Sequence, residues 1–295
     1  MLRTLSLLLL LAGALAAQLS DTAAWAGYVA NQYRIVANVT YLTANNYESK
    51  LDLYINRNES RPAPTLIYIH GGGWTGGSKE TALLQSVPYL ELGWNVINVE
   101  YRLARVSLAP AAVEDCLCAL RWVIRNAKQY NVDASRLVVT GHSAGGHLSL
   151  TTGMIPASAG LDRLCPGRED LKVAVIVNWY GITDVPDLLE EPNLQTYAVN
   201  WLGSMENRKE IAWRVSPLKY VRAGLPPILT IHGDADTTVP YSHAVRLRDA
   251  LTKAGVANEL VTIPGGKHGG FSREETLRIY ATLRQFLTKH NLLDR

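Results

Sequence analysis

Through the middle and end of this chain, apolar residues come in short unbroken runs. Thr65–His70, Val96–Val99, Leu137–Thr140, Val173–Asn178, Ile228–His232 and Glu259–Ile263 are each four to six residues long and rich in Val, Ile and Leu. A strand covered on both faces has no solvent side to mark with polar residues, so these runs predict interior parallel strands. Two earlier segments, Arg34–Thr43 and Leu51–Asn56, alternate apolar and polar residues and predict exposed antiparallel strands. Helical spacing of apolar positions fills the gaps, over Lys79–Leu92, Ala111–Tyr130, Ala144–Met154, Ser242–Ala254 and Arg273–His290. Pro110 stands before the second of these, and Gly93 and Gly255 just after the first and fourth, where helices start and stop. Strand and helix in alternation predict an α/β domain: a mostly parallel sheet of eight strands with helices on both faces.

No repeat, low-complexity tract or Gly/Ser linker divides the chain, which predicts one domain over residues 18–295. The least regular stretch is 181–227, where Tyr197, Trp201, Trp213 and Tyr220 supply apolar anchors without a strand pattern. An insertion of this length in a compact domain is usually functional. It reads as a partial lid and acyl-pocket wall, or as a helical connection packed on the sheet. At the start, Met1 and Arg3 precede the leucine-rich run Leu5–Ala17 with an Ala14-x-Ala16 pattern, the layout of a secretory signal peptide over residues 1–17. A retained anchor or a buried helix are the alternatives; the run has 13 residues, short of the roughly 20 that span a bilayer core. The expectation is export to a periplasmic or extracellular compartment, with no stable membrane insertion.

Composition removes other classes. With 47% hydrophobic residues in 295, the chain can bury enough surface to offset chain entropy, which excludes disorder. Three cysteines cannot staple a chain this long, and a net charge of +3 without a basic block gives no nucleic-acid footprint. Cys116 and Cys118 lie two apart in a helical run and point to opposite sides, so they cannot bridge each other. Cys165 could reach one of them only across the fold. Free buried cysteines are the expected state, and an odd number leaves at least one thiol unpaired in the monomer. No histidine pair or Cys/His cluster has metal-ligand spacing.

The chemistry concentrates in four segments. Gly141-His142-Ser143-Ala144-Gly145 sits directly after a predicted strand and before a predicted helix, the placement of a nucleophile elbow that raises Ser143 Oγ above the sheet edge. His70-Gly71-Gly72-Gly73-Trp74 ends another strand. Acyl transfer passes through an oxyanion that needs preorganised donors, and the N–H groups of Gly72, Gly73 and Ala144 are the candidates. His70 reads as a brace for that loop, and Trp74 as a stacking platform or a plug over it. A serine hydroxyl needs an imidazole to accept its proton and a carboxylate to hold that imidazole. Of seven histidines, His268 lies in a glycine-rich loop between the last strand and last helix. Asp236 is the first choice of acid and Asp234 the reserve, both following the penultimate strand. Trp74, His142, Trp179 and Tyr180 are the candidates for contact with substrate; with Trp201, the aromatic members would line a pocket for an aromatic acyl group.

These segments, in the chain order Ser143, Asp236, His268, resemble the α/β-hydrolase superfamily, and within it carboxylesterases with an HGGG oxyanion loop, the hormone-sensitive-lipase-like and feruloyl/acetylxylan-esterase-like group. Tyr101-Arg102-Leu103-Ala104, Pro110 to Asp115 with Leu120-Arg121-Trp122, and Ser216-Pro217 are also similar to that group. The resemblance implies an α/β-hydrolase fold, a serine hydrolase without cofactor, and Asp236 as the acid of an HG-x-x-D-x-x-V-P segment. It departs from capped lipases, since only about 17 residues separate the predicted leader from Arg34, which implies a small cap and an open site. The expected function is a secreted hydrolase of short-chain or aromatic acyl esters, on small molecules or polysaccharides, by an acyl-enzyme. Amidase, arylformamidase or peptidase chemistry is the alternative on the same scaffold. A non-catalytic binding protein is the remote one, since such proteins usually carry a broken triad.

Overall fold

The computed structural model describes residues 20–293, so the run read as a signal peptide lies outside the described residues. In chain order it contains α1 (Asp21–Gln32), β1 (Tyr33–Ala44), β2 (Tyr47–Asn56), β3 (Ala63–Ile69), α2 (Leu83–Glu91), β4 (Asn95–Val99), α3 (Ala111–Arg125) and β5 (Val132–His142). There follow α4 (Ala144–Met154), β6 (Val175–Trp179), α5 (Thr196–Leu202), α6 (Arg208–Arg214), β7 (Ile228–Gly233), α7 (Ser242–Lys253), β8 (Asn258–Ile263) and α8 (Arg273–Lys289). The eight strands form one sheet in the order β1-β2-β4-β3-β5-β6-β7-β8. The first two junctions are antiparallel and the other five parallel.

The unbroken apolar runs follow from two cores, one on each face. Along β3, Ile67 and Ile69 enter the core shared with α3, α4 and α7, whereas Leu66 and Tyr68 enter the core shared with α2 and α8. Alternate residues of one strand thus serve opposite faces. Buried Arg102 closes on buried Asp115 through paired bonds of 2.6–3.0 Å, tying the Tyr101–Ala104 segment to the first turns of α3.

Five expectations are corrected. β8, read as an interior strand, closes the sheet at its edge and buries only Val261 and Ile263. β2 is not an exposed strand: it lies between β1 and β4, and its polar Asp52 is buried against the Lys79 ammonium at 2.9 Å. α3 stops at Arg125, where the Asn126 side chain donates back to the Trp122 carbonyl at 2.8 Å. Two of the cysteines are joined, Cys118 to Cys165, because the chain before β6 returns over α3. Cys116, on the other side of the helix, remains a buried thiol. Trp213 is no apolar anchor, being 44% exposed.

The 181–227 insertion forms α5, α6 and two short 3-10 turns, Pro186–Leu189 and Pro217–Tyr220, with loops around them. Its entry is pinned to α7: the Thr183 N–H donates to His243 Nδ1 at 3.0 Å, His243 Nε2 meets Asp187 at 3.0 Å, and Arg246 pairs with Asp184 at 2.6 Å. No described helix is long and apolar enough to cross a membrane.

Candidate active site

The carboxyl ends of parallel strands carry each chemical segment, because loops leaving them emerge at one edge of the sheet. Ser143 joins β5 to α4 with φ 57° and ψ −120°, a strained conformation for a residue with a side chain. The turn can be this tight because its glycines press on β3: a Cβ on Gly145 would stand 2.1 Å from the Ile69 carbonyl oxygen. The Ser143 N–H is held by the Trp179 carbonyl at 2.9 Å. Thus the sheet fixes the hydroxyl's height above its edge.

From the loop after β8, His268 Nε2 lies 2.8 Å from Ser143 Oγ, and its Nδ1 lies 2.7 Å from Asp236 Oδ2. The acid is buried while the imidazole stays partly open. Asp236 Oδ1 accepts the N–H groups of Thr238 at 2.8 Å and Val239 at 3.0 Å. Burial would raise this carboxyl; bonds from His232 and His268 and the Val239 N–H outweigh it and hold the group well below the usual carboxylate range. Asp234 is exposed and accepts the Gly265 N–H at 2.6 Å, so it shapes the neighbouring turn. Sequence reasoning missed His232, whose Nε2 donates to the Val239 carbonyl at 2.9 Å and stands 3.3 Å from Asp236 Oδ2.

The glycine loop after β3 folds back on itself, with Thr75 and Gly76 N–H groups donating to the Gly72 carbonyl. Gly72 has φ 113°, and a Cβ there would stand 2.2 Å from the Gly76 oxygen, so no other residue fits. The N–H groups of Gly72 and Gly73 meet no protein acceptor among the described residues, and that of Ala144, at the first turn of α4, has none within its helix. His70 is buried, stacks on Tyr101 at 4.3 Å and bonds the Gly71 carbonyl at 2.8 Å, which makes it a brace for the loop.

A cavity of about 350 Å³ opens above Ser143, lined by the loop glycines, His142, Tyr180, Tyr197, Thr238 and His268. A roomier hollow of about 700 Å³ lies at the amino ends of the strands, beside Arg61, Trp94 and Arg136, away from this chemistry. Of the candidates for contact with substrate, His142 and Tyr180 border this cavity. Trp74 and Trp179 do not, and Trp201 with them is withdrawn from any aromatic pocket. Trp74 is fully buried: a φ of 58° turns it inward, where it stacks on Trp201 at 4.0 Å and donates to His147 Nδ1 at 3.2 Å. Trp179 is 6% exposed, beneath the His142 ring. Of the insertion, only Tyr197 reaches the cavity; its ring covers Gly73 and its hydroxyl donates to the Thr238 carbonyl at 2.9 Å. From the sequence, Tyr197 reads only as an apolar anchor.

Chemically, the arrangement offers a hydroxyl with an imidazole placed to take its proton, a carboxylate behind that imidazole, and free backbone donors beside the hydroxyl.

Known proteins share this framework. The chain is 30% identical over 227 residues to Esterase LipQ of Mycobacterium tuberculosis, an alignment covering 74% of this chain and 52% of that protein. It spans about half the length of this and two further curated relatives it matches. Among solved structures, a truncated carbohydrate esterase from gut microbiota superposes with TM-score 0.73 at 26% identity, covering 87% of this chain and 98% of that one. Esterase 2 of Thermogutta terrifontis with butyrate bound does so with TM-score 0.73 at 26% identity, covering 89% and 96%. A family model described as BD-FAE matches residues 51–251, from β2 through the elbow, the insertion and the acid loop to α7. With that match over most of the domain and the eight-stranded, mostly parallel sheet beneath it, the chain belongs to the BD-FAE family, within the α/β-hydrolase superfamily.

Proposed function

We propose that this protein is an exported serine hydrolase of carboxylic esters with short acyl groups, on small or carbohydrate-linked alcohols. The observation that carries the reading is the in-line relay Ser143 Oγ, His268, Asp236, at 2.8 and 2.7 Å, opening on one cavity. Ser143 Oγ attacks the ester carbonyl while His268 Nε2 takes its proton. The N–H groups of Gly72, Gly73 and Ala144 receive the developing oxyanion. His268 then protonates the departing alcohol, and water, activated by the same imidazole, hydrolyses the acyl-enzyme. Asp236 stays ionised and stabilises the imidazolium.

Tyr197 borders the cavity and covers Gly73, and on this reading it limits the room for the acyl group and favours acetyl to butyryl, in keeping with the butyrate-bound structure. The carbohydrate-linked arm takes its support from the carbohydrate esterase neighbour. Export is supported by the Cys118–Cys165 bridge, since disulfides persist in oxidising compartments, and by the leader-like start of the sequence.

The test is Ser143→Ala assayed with p-nitrophenyl acetate and butyrate. Turnover falls by at least about a thousandfold and covalent labelling by a fluorophosphonate disappears, with the circular dichroism unchanged. A variant that keeps its turnover overturns the reading.

A further inference from the structure

We propose that His142 is a specificity-determining residue whose Nε2–H donates to an oxygen acceptor on the alcohol side of the ester, an inference that rests on the ester-hydrolase reading above. Tyr68, buried on β3, has one hydrogen-bond partner for its hydroxyl among the described residues, His142 Nδ1 at 2.6 Å. A buried phenol with a single neighbour donates to it, since the reverse would leave its own proton without an acceptor. Nδ1 therefore carries the lone pair, and the ring's one proton sits on Nε2. Burial, with His268 nearby, pushes this imidazole down to about 3, so it stays neutral at ordinary pH.

The ring plane is fixed as well as the tautomer. His142 lies on Trp179 with centroids 4.8 Å apart and planes 24° apart, and meets Tyr180 edge-on at 5.5 Å. Among the described residues its Nε2 has no hydrogen-bond partner, it is not sealed from solvent, and the ring borders the cavity with Ser143 and His268. A donor oriented this way and left without a protein acceptor is placed for a substrate atom. The side of the ester follows from Tyr180, which joins His142 to His268 by an edge contact of 4.7 Å. The leaving oxygen must lie within reach of His268 to take its proton, so the wall made by His268, Tyr180 and His142 faces the alcohol. Tyr197 borders the same cavity where its ring covers Gly73 of the oxyanion loop, with its hydroxyl on the Thr238 carbonyl.

The experiment compares kcat/KM for 2-methoxyethyl acetate and n-butyl acetate, esters of equal length in which an ether oxygen replaces a methylene. Their intrinsic difference in leaving-group ability cancels when the ratio for a variant is divided by that of the wild type. His142→Phe lowers the ether-to-alkyl ratio by about three- to tenfold, the worth of one hydrogen bond. Tyr68→Phe, which frees the tautomer, lowers it part of the way, and His142→Gln, which keeps a donor, stays closer to wild type. A ratio unchanged in His142→Phe, or equal losses on both esters, overturns the proposal. Should His142→Phe fail to fold, Tyr68→Phe decides by the same ratio. Failure of the wild type to hydrolyse either ester would instead defeat the function on which the inference rests.

Discussion

Asp234 and Asp236 follow β7 on one loop, and their neighbours separate them. Asp236 is buried and takes two backbone N–H groups on one oxygen and His268 on the other, whereas Asp234 is exposed and holds only the Gly265 N–H. An amide at 236 keeps the size of the acid but removes the charge that holds His268 in its productive tautomer. Asp236→Asn is therefore expected to lower kcat on the order of 10³–10⁴-fold. Asp234→Asn, a surface change, is expected to shift stability by no more than about 0.5 kcal/mol and kcat by about twofold. Equal losses from the two variants would count against the assignment. That Ser143, His268 and an aspartate of this loop would meet was legible in the sequence, because the chemistry restricts the residue types and the fold restricts the loops. The His232 contact to Asp236 was not, since it depends on how a strand's last side chain points across its own loop. Trp74 shows the same limit: its direction is decided by a backbone angle that the glycines before it permit, and no spacing rule reports that.

Among the elements, β3 to β7 were legible because burial on two faces leaves an unbroken apolar run, and β8 gave a similar run although it lies at the sheet edge. α1 was not seen, although Ser20 caps it by accepting the Ala23 N–H at 3.2 Å; its residues are mostly exposed and give no apolar stripe to detect. α5 and α6, seven residues each, are too short for helical periodicity to show. Their placement matters because α5 sends Trp201 and Ala198 into the core and Tyr197 to the cavity. One face thus anchors the helix while its neighbour limits the site. Tyr197→Ala should open the acyl side, raising kcat/KM for octanoyl relative to acetyl p-nitrophenyl esters by on the order of tenfold. Tyr197→Phe, which loses the bond to Thr238 but keeps the ring, should leave that ratio near wild type. An unaltered chain-length profile in Tyr197→Ala would show that the limit lies elsewhere.

At the scale of the molecule, both cores contain or border histidines that folding keeps uncharged. His147 is fully buried between Trp74, whose indole N–H it accepts, and the Val215 carbonyl, to which its Nε2–H donates at 2.8 Å. Burial pushes it down to about 3, as it does His142, and lowers His243 as well. In the unfolded chain such a group has a pKa of about 6.5 and takes a proton first. Between about pH 6.5 and 3 the unfolded state therefore binds more protons than the native one, and stability falls as pH falls through that window. At pH 5 the His147 contribution alone amounts to about 2 kcal/mol. The carboxylates lowered by their partners, Asp236 and Asp187 among them, act in the same direction but only below about pH 4, where unfolded carboxylates protonate. The interval from pH 7 to pH 5 thus leaves those lowered carboxylates aside. Urea unfolding should give a free energy lower at pH 5 than at pH 7 by at least about 2 kcal/mol, and in His147→Gln the difference between the two pH values should shrink by about that amount, whatever the variant's absolute stability. A stability that does not change from pH 7 to pH 5 would mean that His147 takes up its proton within the fold, with the Trp74 N–H turned away from Nδ1.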